Sequence, residues 1–296
     1  MENIFIGAQI DRKIYIPFSE IIIMSVKKFL LFGVFIFLIY SALSKEEKTI
    51  LIDFSHSSNK EQAQKNLSTF LYNLEEKNFE VEMSDVKLES LSLRDYDVLL
   101  LWAPSGILED KEISLILEFV EKGGGLVVNG DWNVSWKKES RDSYNKLVRN
   151  FGFKFQENAV DDRTNKAGCK CTPIIHVFES LEEESGIGNV VFAKPCSIEI
   201  VGDARAIALG DEDTFVTGKE STEKISLAVV SEYGKGKVVG VGTYHIFENR
   251  YILMYDTLEF VLNLVEWVSQ ESLEAGFGFL SFLILFFSLY LLKKRA

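Results

Sequence analysis

An α/β fold, with a mostly parallel sheet and helices on both of its faces, is what the sequence predicts. Three observations lead there. Apolar runs at 49–54, 96–102 and 126–129 are short enough for strands, and the second is too apolar for a strand with one wet face. Stretches with apolar residues on one helical face separate them. The connections are short, which suits right-handed strand-helix-strand crossovers.

Taken in order, the first strand, 49–54, runs out into Ser55-His56-Ser57-Ser58-Asn59, a polar exit loop. Ser58 and Glu61 have capping-box spacing, so a helix is expected from there, with Ala63, Leu67, Phe70, Leu71 and Leu74 inward. Phe79, Val81 and Met83 alternate with Glu80 and Glu82, as in a half-exposed edge strand. Strand 96–102 ends at Ala103-Pro104-Ser105-Gly106. Ile113, Ile116, Leu117 and Val120 make the next helical stripe, and Gly123 supplies its C-cap. Strand 126–129 closes in Asn129-Gly130-Asp131-Trp132, a tight turn. A further helix has Tyr144, Leu147, Val148 and Phe151 inward and stops at Gly152. Residues 156–188 read as a long polar surface excursion. Short strands are expected at 190–193, 197–201 and 205–209, then a hairpin of 226–232 and 237–242 around Tyr233-Gly234-Lys235-Gly236. Residues 243–249 read as a loop, and a last helix carries Leu258, Val261, Leu262, Val265 and Val268.

The ends point to a membrane. Lys27-Lys28 precede the apolar run 29–43, the form of a secretory signal or an uncleaved anchor, with Ala42 and Ser44 placed for cleavage after Ser44. Met24 just before it is the expected translation start. Residues 275–292 carry no charge and are followed by Lys293-Lys294-Arg295, as in a membrane helix with a cytoplasmic basic stop. The expected organisation is a signal or anchor at 1–44, one α/β domain at 45–269, and a linker, membrane helix and basic tail at 270–296, with the domain outside the cytoplasm. Helix 275–292 could also pack on another membrane protein, although Gly276 and Gly278 lack the four-residue spacing of close-packed helices. Net charge is −12, and both ends are basic on balance, so the middle is more acidic still. Such a domain repels phosphates, which argues against nucleic acid as a partner. Three cysteines are too few for a disulfide scaffold. Cys196 could pair with Cys169 or Cys171, or all three could be free thiols.

Residues 117–128, with Gly123-Gly124-Gly125 before a strand, are similar to the helix-to-strand step of class I glutamine amidotransferase-like domains. Asp53-Phe54-Ser55-His56, the hairpin at 233–242 and residues 263–268 with Trp267 resemble that group's non-catalytic branch among prokaryotic membrane proteins. Gliding-motility ABC-transporter auxiliary proteins and an intraflagellar-transport subunit share that branch. The resemblance spans about 50–268 and implies a flavodoxin-like sheet, with a binding or scaffold role beside a transporter or envelope complex. It implies no amidotransferase chemistry, which needs a cysteine on the strand-to-helix turn. Asn129-Gly130-Asp131-Trp132 offers neither Cys nor Ser.

Ligands of open α/β sheets bind beyond the carboxyl ends of the strands. The polar and aromatic groups expected there are Asp53, His56, Ser57, Trp102, Ser105, Asn129, Asp131, Trp132 and His245. The candidate ligand-binding set is Asp53, His56, Trp102, Asn129, Asp131 and His245. No resident cofactor is implied; a divalent metal is the one such group these residues could hold. The alternative to a binding module is a hydrolase or metal-dependent enzyme using Asp53, His56, Asp131 and His245. Asp and Ser after a strand also serve as ordinary caps and turn formers.

Overall fold

A computed structural model of the chain describes residues 47–57, 60–132, 136–179, 186–218 and 224–270. The apolar segments 29–43 and 275–292 lie outside these residues. Among the described residues no helix is long and apolar enough to cross a membrane.

The chain alternates as expected through its first half. Strand β1 is Lys48–Asp53, followed by helices α1 (Lys60–Asn66) and α2 (Ser68–Glu76). Strand β2 is Phe79–Ser84 and β3 is Val98–Leu101; then come α3 (Asp110–Glu121), β4 (Gly125–Asn129) and α4 (Lys138–Val148). The second half is mostly strand: β5 (Phe153–Phe155), β6 (Val160–Asp162), β7 (Ile174–Ile175), β8 (Val177–Phe178), β9 (Val190–Val191) and β10 (Ile198–Ile200). It continues through β11 (Arg205–Leu209), β12 (Thr214–Val216), β13 (Ser226–Tyr233) and β14 (Gly236–Val241). Two helices, α5 (Asn249–Ile252) and α6 (Thr257–Val268), close the described chain.

Strands β2, β1, β3, β4 and β14 lie side by side in that order and are parallel throughout. Counting β14 as the fifth parallel strand, this is the 2-1-3-4-5 order of doubly wound sheets, whose direction of winding switches between β1 and β3. Strand β13 then adds antiparallel to β14, and β10, β11, β5 and β8 extend that side antiparallel. Strands β3, β4 and β14 are buried on both faces, as is β1 from Ile50 on, while edge strand β2 leaves Glu80 and Glu82 exposed as expected; alternate residues part between two cores. Ile50, Ile52, Leu100, Val127 and Val239 pack with Leu67, Phe70 and Leu74 of the α1–α2 segment and Phe260, Val261 and Leu264 of α6. Leu51, Leu99, Leu101, Leu126 and Val128 pack with Ile113, Ile116 and Val120 of α3 and Tyr144 and Leu147 of α4.

Several expectations are corrected in detail. The first amphipathic stretch is two helices, interrupted at Leu67, which is itself fully buried. Residues 156–188 are not a mere surface excursion. Strand β6 pairs with the unexpected β12, β7 pairs with β9, and β8 joins the main sheet through β11. Here Asp161 and Asp162 are buried, which their polarity in the sequence disguised. Buried carboxylates need donors, and Thr217 Oγ1 and Thr214 Oγ1 supply them at 2.8 Å each. Residues 243–249 hold a 3₁₀ turn and the start of α5 rather than open loop. Cys169 and Cys171 are bonded to each other, whereas Cys196 is a free thiol in the core and pairs with neither.

The two ends of the described domain meet at the amino end of the sheet. The Lys48 ammonium donates to the Ser269 carbonyl and lies 3.3 Å from its hydroxyl. Helix α6 can pass there because Gly125 has no side chain: a Cβ would lie 2.4 Å from the Val268 carbonyl oxygen. Gly125→Ala should therefore push α6 off the first residue of β4. Overpacking of this kind costs about 1–3 kcal/mol, so the urea midpoint of Gly125→Ala should fall with little change in slope.

Candidate functional site

The polar groups expected beyond the strand ends do gather at the carboxyl end of the sheet, but they divide by strand alternation. Asp53, the last residue of β1, points to the same face as Leu51, toward α3 and α4. Its Oδ1 accepts from the Ser55 amide at 2.9 Å and the Ser55 hydroxyl at 2.6 Å. Its Oδ2 accepts from His56 Nδ1–H at 2.6 Å. The other ring nitrogen donates to Glu112 Oε2 at 3.1 Å. Glu112 stands in the first turn of α3, where it also accepts from the Glu109 amide at 3.0 Å in a capping box. All three members are buried, with Asp53 and Glu112 each 1% exposed and His56 7%.

Burial disfavours the His56 cation, but the hydrogen bond and charge of Asp53, with Glu112 behind them, outweigh it. The imidazole pKa is raised above its ordinary 6.5. His56 is thus held toward its protonated form, in which both nitrogens donate and neither keeps a lone pair to act as base or metal ligand.

The His56 backbone closes the crevice between β1 and β3. Its carbonyl accepts from the Ser105 amide (3.0 Å), the Gly106 amide (2.7 Å) and the Ser105 hydroxyl (3.0 Å). The Ser57 hydroxyl donates to the Trp102 carbonyl at 2.6 Å. The approach is so close that a Cβ on Gly106 would sit 3.1 Å from the His56 Cα. The two loops that flank the switch in winding are therefore sewn to each other. Ser57 and Ser105, expected as site residues, are the stitches.

Asn129 and Asp131 leave β4. The Asn129 amide reaches the Leu101 carbonyl at 3.4 Å, and Asp131, 5% exposed, accepts from the Trp132 amide at 2.8 Å. Burial, and then the charge of Asp131, push the Cys196 thiol and the Tyr244 hydroxyl well up. Between Asn129 and Asp131 the turn is full: a Cβ on Gly130 would lie 2.7 Å from the Phe155 ring and 2.8 Å from Cys196 Sγ. Trp102 is a core residue, packed between Phe54 and Tyr244 at ring separations of 5.5 and 5.3 Å. His245 stacks on Tyr244 and gives Nδ1 to Glu248 at 2.7 Å. Asp53 and His56 are thus brought together, while the recorded partner of His245 is Glu248. Trp132 lies under the Lys194 ammonium, 5.4 Å from its ring.

Four buried side-chain atoms among the described residues lack a partner: Trp102 Nε1, Glu112 Oε1, Asn129 Oδ1 and Tyr144 Oη. All belong to this end of the sheet. Glu112 is not among the residues expected from the sequence, and Tyr144 reads there only as an inward core residue, because both sit in amphipathic helices. The Glu109-x-x-Glu112 spacing before an apolar stripe was the signal for Glu112. Asp53, His56, Asp131 and His245 do not form a metal-holding cluster. Among the described residues the one such trio is Asp162, Asp211 and Asp213, with ligand atoms within 4.8 Å of one another. Those carboxylates are already occupied by donors from Thr164, Asn165 and Thr214.

A group whose folded pKa is raised contributes stability that is full below its unfolded pKa and is lost as pH rises through the folded value. Unfolding free energy should accordingly decline as pH rises from about 6.5 through the raised pKa of His56. His56→Gln should flatten that decline. His56→Ala should cost about 3–5 kcal/mol at neutral pH, because it strands two buried carboxylates. Denaturant titrations across this range measure both.

The family described as domain of unknown function (DUF4350) matches residues 67–265. An uncharacterized protein of Aquifex aeolicus (strain VF5) is 26% identical over 201 residues, 64% of this chain and 84% of that one. Among solved structures, the mmIFT52 N-terminal domain matches with a TM-score of 0.61 at 14% identity, covering 75% of this chain and 97% of that one. A ThuA-like protein from Parabacteroides merdae matches with a TM-score of 0.47 at 16% identity, covering 76% and 91%. The likeness to the mmIFT52 domain shows a shared fold. The family match takes in α2 to most of α6, well over half of the chain, and the chain accordingly belongs to the DUF4350 family.

Proposed function

We propose that the chain is a non-catalytic, amidotransferase-like binding module of flavodoxin-like fold, tethered to a membrane with its globular domain outside the cytoplasm. In this reading it serves a membrane-protein partner, such as a transporter or an envelope complex. The observation that carries the non-catalytic part is the closed carboxyl end. The β1–β3 crevice, where a doubly wound sheet takes its ligand, is occupied by hydrogen bonds from Ser57, Ser105 and Gly106. The turn after β4 has no Cys or Ser at 129–132, and packing leaves Gly130 no room for a side chain. The one buried cysteine beside it has its thiol pKa raised by burial, the reverse of what an attacking thiolate needs.

The tether is supported by sequence and by the position of the two domain ends. The apolar segments 29–43 and 275–292 are joined to Glu47 and Gln270 by short stretches. Lys48 and Ser269 lie in contact at the amino end of the sheet. A C-terminal anchor leaving from beside Ser269 would hold that end toward the bilayer and turn the carboxyl end outward. The ligand-binding set Asp53, His56, Trp102, Asn129, Asp131 and His245 would then act through the surface it braces, without taking part in chemistry.

The full chain, expressed in a bacterial host, should sediment with membranes. Protease added outside spheroplasts should degrade the domain and spare a fragment containing 275–296. Protection until the cells are lysed would refute the extracytoplasmic placement. Turnover of an ester or amide that is lost in Asp131→Ala, with the unfolding midpoint unchanged, would refute the non-catalytic reading.

A further inference from the structure

The described domain carries one disulfide, and its placement suits chemistry better than stapling. Cys169 and Cys171 are two residues apart, so the bond closes a loop of three residues. Loop-closure stabilisation grows with loop length, which makes this ring the weakest kind of staple. The surrounding chain is already fixed by other means. The Lys170 carbonyl accepts from the Asp162 amide at 2.9 Å, the Cys171 carbonyl from the Lys194 amide at 2.7 Å, and the Cys169 carbonyl from the Thr172 amide at 3.0 Å. The loop would keep its path with the bond open. Cys169 is exposed and Cys171 half-buried, so an incoming group has an open sulfur to attack.

We infer that Cys169-Lys170-Cys171 is a thiol–disulfide exchange site that takes small or peptide thiols as its substrates. An incoming thiolate attacks Cys169 Sγ. The bond between the two cysteine sulfurs breaks, and its electron pair leaves on Cys171 Sγ. A second thiolate attacks the substrate sulfur of the mixed disulfide and releases Cys169 Sγ. The pair has gained two electrons, the two substrate thiols have become one disulfide, and their two protons end on Cys169 and Cys171. The reverse sequence oxidises a dithiol. The reaction needs no other reagent.

Two features beyond the cysteines fit this assignment. Thr172 is buried, and its hydroxyl lies 3.5 Å from Cys169 Sγ and 3.9 Å from Cys171 Sγ. It can donate to whichever sulfur carries the departing charge; Thr172 is thus a positioning residue. The segment also bears Arg163, Lys166 and Lys170, all exposed, on an otherwise acidic domain. Positive charge beside a leaving sulfur favours the thiolate. Lys170 stands between the two cysteines in the chain, its ammonium 3.1 Å from Asp161 and 5.6 Å from the Phe215 ring. Cys196 plays no part, since it is fully buried in the core.

The test uses the full chain in mild detergent, equilibrated with mixtures of reduced and oxidised glutathione, then trapped with an alkylating reagent and weighed. The expected result is a 169–171 pair that shifts from disulfide to dithiol across millimolar glutathione ratios while the domain stays folded by circular dichroism. Rates come from stopping the reaction at intervals. Thr172→Val should slow exchange several-fold with the disulfide still formed, and Thr172→Ser should restore it. Cys169→Ser and Cys171→Ser should abolish exchange, whereas Cys196→Ala should keep it. A pair that stays oxidised in millimolar reduced glutathione until the protein is denatured would overturn the inference. So would free thiols at both positions in protein purified under air with a thiol block.

Discussion

His56 is gripped by two carboxylates that belong to different elements, Asp53 at the end of β1 and Glu112 in the first turn of α3. Its backbone carbonyl meanwhile takes three donors from the loop after β3. One residue therefore joins the exits of two adjacent strands to the start of the helix between β3 and β4. In a sheet wound in this order, the two exits normally part around a ligand. Here they cannot part without separating a buried histidine from two buried carboxylates. A buried pair of this kind need add little net stability over apolar packing, yet losing one partner is expensive. The consequence is a stiff carboxyl end whose outline is set by protein atoms.

The same constraint explains which site residues the sequence could reveal. Asp53 and His56 were legible because Asp-x-x-His at a strand exit is short and local. Asn129 and Asp131 were legible for the same reason. What the residues do was not legible, because it depends on groups 45 to 56 positions away: Glu112 on the ring, Trp102 and Ser105 on the stitches. A histidine facing one carboxylate is a candidate base. The same histidine between two is a structural clamp, and only the packing of α3 against β1 decides between them. Trp102 illustrates the converse. An aromatic at a strand end can be a stacking platform, but Phe54 and Tyr244 enclose this one.

At the level of fold, the parallel half was legible and the antiparallel half was not. Strands β1, β3 and β4 are nearly continuous apolar runs, buried on both faces, and such runs are self-announcing. Strands β6, β8 and β12 are two or three residues long, and β6 holds two aspartates. No periodicity can emerge from so few residues. Their stability comes from partners far along the chain, as when Thr214 and Thr217 of one segment satisfy Asp162 and Asp161 of another. The polar look of 156–188 reflects that internal pairing as much as exposure.

The two poles of the sheet place different demands on the chain. At the amino pole, Lys48 and Ser269 meet, and Gly125 makes room for the end of α6. There α6 is seated across β4 and β14. At the carboxyl pole the contacts are polar, buried and mutually dependent through His56. Between the two poles, β1, β3, β4 and β14 carry a packed core on each face.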